Sequence, residues 1–260
     1  MGNSPAVGTG TWTVLQGGAI VDFPNQFNST VTGMTVGANK FRWTIANGAC
    51  TPSSSDVTVN SFASPSVASA GADALACAPD GILSATTPSA GTGAWTLISG
   101  SGSITSSNSP ASTVTGLTLG ANVFRWTVTN GVCPSALNFD DVTITRRGSV
   151  SLSVAGTSQT ICGDVFTLSA NAVNIAQGET GTWTAVGGTI APADLTNPNA
   201  TATNLQVGVN AFTWTVNNGC ATSVATIFIT RQNTTTIANA GTNQSVCANT
   251  TTLAGNQPLV

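Results

Sequence analysis

Histidine and tyrosine are both absent from this 260-residue sequence, and charged side chains make up only 6% of it. Without histidine the chain lacks the commonest general base, the commonest transition-metal ligand and the usual partner of a serine or cysteine nucleophile. Hydrolase mechanisms are therefore disfavoured, no catalytic residue is assigned, and the chain reads as a non-enzyme that needs no cofactor. Six Lys and Arg stand against nine acids, a net charge of -3, so no basic surface exists for phosphate backbones or anionic lipids. Nucleic acid and membrane surfaces drop out as partners. No apolar run approaches the roughly 18 residues of a membrane span. Met1 to Pro5 has neither the charged start nor the apolar core of a signal peptide, so any export signal lies outside this sequence. What is abundant is Gly, at 28 residues, with long runs of Ser, Thr, Asn and Ala. Solubility rests on neutral hydroxyls and amides.

The chain repeats itself. Gly10-Thr11-Trp12, Gly93-Ala94-Trp95 and Gly181-Thr182-Trp183 open one block; a second runs from Gly37-Ala38-Asn39, Gly120-Ala121-Asn122 and Gly208-Val209-Asn210 to Trp43, Trp126 and Trp214. Both tryptophan series are spaced by 83 and then 88 residues, the size of one small β-sandwich. Phe124, Trp126 and Val128 alternate with Arg125, Thr127 and Thr129, the period of a half-buried strand, and turn-forming Asn-Gly and Ser-Gly pairs separate Thr-rich segments. For the middle repeat this predicts strands near 66–71, 75–86, 93–99, 112–117, 123–130 and 139–146, packed as two antiparallel sheets with almost no helix.

Six cysteines form two series: an early one near the start of each repeat, Cys77, Cys162 and Cys247, and a late one after an Asn-Gly turn, Cys50, Cys133 and Cys220. Neither Cys-x-x-Cys spacing nor histidine supports zinc, so disulfides are expected, and with them an oxidising, extracellular location. Order along the chain suggests Cys77 with Cys133 and Cys162 with Cys220. The closed loops of 56 and 58 residues would each contribute about 4 kcal/mol. Cys50 and Cys247 are left without partners in their own repeats, because residues 1–60 hold only late strands and 233–260 only early ones. Joining Val260 to Gly8 sets Trp12 eighteen positions after Cys247, as Trp95 is after Cys77. Two readings follow. Either the early strands of one chain complete the sheet of the next and Cys247 bonds its neighbour's Cys50, or the sequence is an excerpt of a longer array.

Candidate sites are few. The six tryptophans, Trp12, Trp43, Trp95, Trp126, Trp183 and Trp214, share faces with aliphatic neighbours and are expected in the core; exposed, they would form a carbohydrate-stacking row. Arg42 and Arg125, on the opposite face, are expected to be solvated. Asp56, Asp140 and Asp141 are too few for a calcium site. Asn28, Asn199, Asn233, Asn243 and Asn249 match the glycosylation acceptor pattern, a frequent chance match in so Asn- and Thr-rich a chain.

The segment Ala238 to Asn256, the Gly-Thr-Gly-Thr-Trp block and the Asn-x-Phe-Arg-Trp-Thr block together resemble PKD-like, immunoglobulin-fold repeats of long secreted surface proteins of Bacteroidetes, including gliding-motility and attachment adhesins. The third repeat departs from the pattern at Thr213, where the others have arginine, and by an insertion over 171–179. The resemblance implies an all-β array of tandem immunoglobulin-like sandwiches, which the order of motifs and cysteines divides into a half-module at 1–60, complete modules at 61–147 and 148–232, and a half-module at 233–260. It also implies a secreted cell-surface stalk that carries force, with glycans or neighbouring repeats as partners, and the complementary half-modules extend this to a head-to-tail filament. The alternative function is a carbohydrate-binding accessory module.

Overall fold

A computed structural model describes residues 2–133 and 138–258. The chain divides into two compact units, residues 1–146 and 147–260. The first unit opens with β1 (Thr9–Gln16), β2 (Ile20–Val21), β3 (Val31–Thr32), β4 (Gly37–Ala46) and β5 (Ser53–Ser61). These form a sheet ordered β1-β4-β5 and a two-stranded β2-β3 ribbon. The same unit continues with a fuller sandwich made of β6 (Ala74–Ala76), β7 (Gly81–Ser84), β8 (Thr92–Ser99), β9 (Ser103–Ile104), β10 (Ala111–Thr115), β11 (Gly120–Thr129) and β12 (Phe139–Arg146). Its sheets are ordered β6-β12-β11-β8 and β7-β10-β9.

The second unit repeats that plan with β13 (Gln159–Ile161), β14 (Phe166–Thr167), β15 (Thr180–Val186), β16 (Thr189–Ile190), β17 (Thr201–Thr203), β18 (Gly208–Asn217) and β19 (Thr222–Arg231). Its sheets are ordered β13-β19-β18-β15 and β14-β17-β16. The only helical turns among the described residues are short 3-10 pieces at Ile175–Gln177 and Pro192–Asp194. The protein is thus an all-β array of immunoglobulin-like sandwiches.

Two strand expectations are corrected. Residues 75–86 do not form one strand: the chain leaves the first sheet after Ala76, turns over Cys77 to Asp80, and joins the second sheet as β7. One segment thereby feeds both layers of the sandwich. Residues 66–71 form no strand, because their amides bond elsewhere: Ala68 N–H donates to Asn138 Oδ1 at 2.9 Å and Ala70 N–H to Asp140 Oδ2 at 2.8 Å.

The recurring blocks have steric reasons. Trp95 lies opposite Trp126 in the β8–β11 register with ring centroids 5.0 Å apart, and the other two pairs repeat this at 5.1 Å. The second ring of each pair covers the glycine two residues before the first. A Cβ on Gly10, Gly93 or Gly181 would sit 1.9, 1.9 or 2.1 Å from Cζ2 of Trp43, Trp126 or Trp214, so only glycine fits. The block asparagines are buried and fully used rather than merely turn-forming. Asn122 Nδ2 donates to the carbonyls of Thr118, Gly120 and Ile144, while its Oδ1 accepts from Ser101 N–H at 2.9 Å.

Candidate functional site

The first module ends on an open face. In the second, β6 pairs in parallel with the outer edge of β12, and β7 pairs with β10. The first module has no strand in either place among the described residues, so β5 and β3 each keep a free edge. Trp12, Val21, Val31, Phe41, Val57 and Val59 line the resulting apolar groove of about 150 Å³. Their counterparts Trp95, Val114, Phe124, Val142 and Ile144 belong to one buried core with Leu83, against which Ile104 packs. The difference falls on the last strand: Val57 and Val59 are 41% and 36% exposed, Val142 and Ile144 only 4% and 1%. Leu83 of β7 is buried in that core at 1% exposure, and Leu168, beside β14, in the third module's core at 0%.

A segment in register with these leucines is largely exposed. Residues 233–258 carry the early-strand pattern, with Leu253 exactly as far from Leu168 as Leu168 is from Leu83, yet Leu253 is 83% exposed and Val246 54%. The segment already has the early-strand shape. Asn256 accepts from Asn239 N–H at 2.7 Å and donates to Ile237 O at 3.0 Å, as Asn171 accepts from Val154 N–H at 2.8 Å and donates to Leu152 O at 3.2 Å. Sequence reasoning missed this leucine, whose signal was its constant spacing at 83, 168 and 253.

The cysteines do not pair as chain order suggested. Cys77 and Cys220 are disulfide-bonded, whereas Cys50, Cys133, Cys162 and Cys247 carry free thiols. The sheets explain why neither within-module bridge forms. Cys77 follows Ala76, which pairs with Arg146 at the trailing end of β12; Cys133 bridges Asn130 at the leading end, where β12 has yet to begin. Strands of this length, rising about 3.3 Å per residue, hold those ends roughly 25–30 Å apart, far beyond the roughly 4.4–6.8 Å between Cα atoms that a disulfide needs. Cys162, beyond Ile161 opposite Arg231, and Cys220, in the β18–β19 turn, are separated in the same way. Cys50 and Cys247, expected to join between copies, are both exposed.

The arginines are not free cations. Arg42 faces Asp56 across β4 and β5, with Nε–Oδ1 at 2.6 Å and Nη2–Oδ2 at 3.0 Å, and Lys40 approaches the same carboxylate at 3.0 Å. Arg125 pairs with Asp141 at 2.7 and 2.9 Å and lies 3.6 Å over the Phe139 ring. Hydrogen bonds from these guanidinium groups hold both carboxyls below the usual carboxylate range. In the third module Thr213 and Thr226 replace the ion pair with a hydroxyl contact of 2.8 Å. Asp56 and Asp141 are thereby occupied, and no cluster of three or more metal-ligating side chains occurs among the described residues. Trp43, Trp95, Trp126, Trp183 and Trp214 are 0–4% exposed and Trp12 is half-buried at the groove, so the tryptophans present no stacking row.

No protein-family model and no curated protein matches the chain. Solved structures do match in architecture. The titin I-band fragment I67–I69 is 10% identical with a TM-score of 0.46, covering 86% of this chain and 87% of its own. Extracellular domains 3–5 of Drosophila OTK are 10% identical with a TM-score of 0.41, covering 86% and 85%. Murine CEACAM1b is 15% identical with a TM-score of 0.42, covering 65% and 100%. No helix among the described residues is long and apolar enough to cross a membrane.

Proposed function

We propose that this chain is a structural repeat protein of the cell exterior, acting in surface adhesion or motility as a stalk or filament whose copies join head to tail by strand donation. Residues 233–258 of one copy would lie along β5 and β3 of the next, with Leu253 seated among Trp12, Phe41, Val57 and Val59. The observation that carries this reading is the pair of unmet surfaces: an open groove whose counterparts are sealed by Leu83 and Leu168, and an exposed segment of the sealing type. Strand donation would bury apolar area and satisfy a free sheet edge at once. The disulfide-bonded Cys77 and Cys220 support an oxidising location.

The test is sedimentation of the purified chain over a range of concentrations, with electron microscopy of the same samples and a synthetic peptide of residues 237–258 as competitor. Concentration-dependent linear polymers that the peptide shortens support donation. A chain that stays monomeric and binds no peptide overturns it.

A further inference from the structure

The two cysteine series mark opposite ends of every module. Cys77 and Cys162 each sit one residue beyond the strand that pairs with the end of the last strand: Ala76 pairs with Arg146, and Ile161 with Arg231. Each late-series cysteine lies at the leading end, near the linker that enters its module. Cys133 Sγ is 3.5 Å from Ala63 O and 3.7 Å from Phe62 O. Cys220 N–H donates to Asn218 Oδ1, and Asn218 Nδ2 donates to Gly148 O. One member of each series, Cys77 and Cys220, is oxidised; the remaining four thiols are two of each kind.

We propose that successive copies are welded by two disulfides, Cys247 of one copy to Cys133 of the next and Cys162 of one copy to Cys50 of the next. This rests on the strand-donation reading above. In a completed first module Val246 takes the place that Ala76 and Ile161 take in theirs, opposite Ser61. Cys247 is then beside Phe62, the residue whose carbonyl already touches Cys133 Sγ. The second bridge follows from the same placement. Gln232 N–H donates to Ile161 O at 2.8 Å, so Cys162 stands at the start of the linker that enters the completed module, where the exposed Cys50 of the next copy marks the leading end.

Each bridge forms by thiol–disulfide exchange with a small disulfide oxidant such as oxidised glutathione. One thiolate attacks the oxidant and releases a thiol, and the second thiolate displaces the other half of the oxidant. One protein S–S bond forms, two S–H protons leave, and the oxidant takes two electrons as two thiols.

The experiment mixes isotopically heavy and light copies, lets them assemble, oxidises them with glutathione and maps linked peptides by mass spectrometry without reduction. Electron microscopy runs in parallel. Heavy–light hybrids joining Cys247 to Cys133 and Cys162 to Cys50 are expected. The covalent ladder on non-reducing electrophoresis should persist in Cys50→Ser and in Cys133→Ser and disappear in the double variant, while that variant still forms filaments. Filaments in which the four thiols stay free, or in which Cys50 links to Cys247, overturn the disulfide assignment and leave strand donation standing. Absence of filaments overturns both.

Discussion

Replacing Leu168 and Leu253 by alanine should separate folding from assembly. Leu168 is fully buried, so Leu168→Ala removes a packed side chain from the third module's core and should cost about 2–5 kcal/mol of that module's stability. Leu253 has the same place in the repeat but is 83% exposed, so Leu253→Ala should leave the melting of the separate chain within about 0.5 kcal/mol of the parent. Its effect belongs to the joint between copies. Losing the burial of one leucine in the Trp12–Phe41 groove forfeits about 2–3 kcal/mol, which weakens head-to-tail association by roughly 30- to 150-fold. Thermal unfolding reads the first effect, and sedimentation over a concentration series reads the second. The reasoning fails if Leu253→Ala assembles as tightly as the parent, or if it melts as early as Leu168→Ala.

Gly93→Ala should destabilise the second module by about 1–3 kcal/mol, because a Cβ 1.9 Å from Trp126 Cζ2 forces that ring off its partner; loss of near-ultraviolet ellipticity with an earlier melt checks it. Glu179 is 4% exposed, and its carboxylate accepts from Ser151 N–H at 2.6 Å and Asn174 N–H at 2.7 Å. Burial opposes its charge, yet these N–H donors outweigh burial and set its pKa below the ordinary value. Its contribution is therefore present above the unfolded carboxyl's pKa and fades as pH falls through the depressed folded value. Glu179→Gln, which turns its side-chain NH2 toward one of those N–H donors, should cost about 1–3 kcal/mol near neutrality and less in acid, as measured by urea unfolding. Arg125→Ala should cost little, and less in high salt, because the ion pair is partly solvated; a large, salt-independent loss would point instead to packing on Phe139.

Much of this fold could be read directly. The alternation through Phe124, Trp126 and Val128 encodes a strand with one buried face, and the two tryptophan series keep a constant offset because their residues stack across neighbouring strands. The lack of early strands beside β5 and β3 among the described residues follows the same logic, since a segment with only late motifs cannot supply them. The cysteine pairing was not. Chain order tells which strands carry the thiols but not which end of a strand each occupies, and the parallel β6–β12 pairing is what sends Cys77 to the far end from Cys133. The Arg42–Asp56 pair was equally hidden until the β4–β5 register was known, although the joint replacement by Thr213 and Thr226 in the third module encodes it. Leu253 escaped notice because threonine and alanine surround it, and a single apolar residue has no period of its own.

The parallel pairing of the first and last strands within the second module also decides how that module would fail when stretched. Tension pulls β6 back toward its leading linker and β12 forward past Arg146, so two strands running in the same direction slide lengthwise against each other. Their evenly spaced hydrogen bonds are then strained together rather than unzipped one after another from an end. A module built this way should hold its length until it gives way in one abrupt step, which a single-molecule pulling trace would register as a sharp peak rather than a gradual yield.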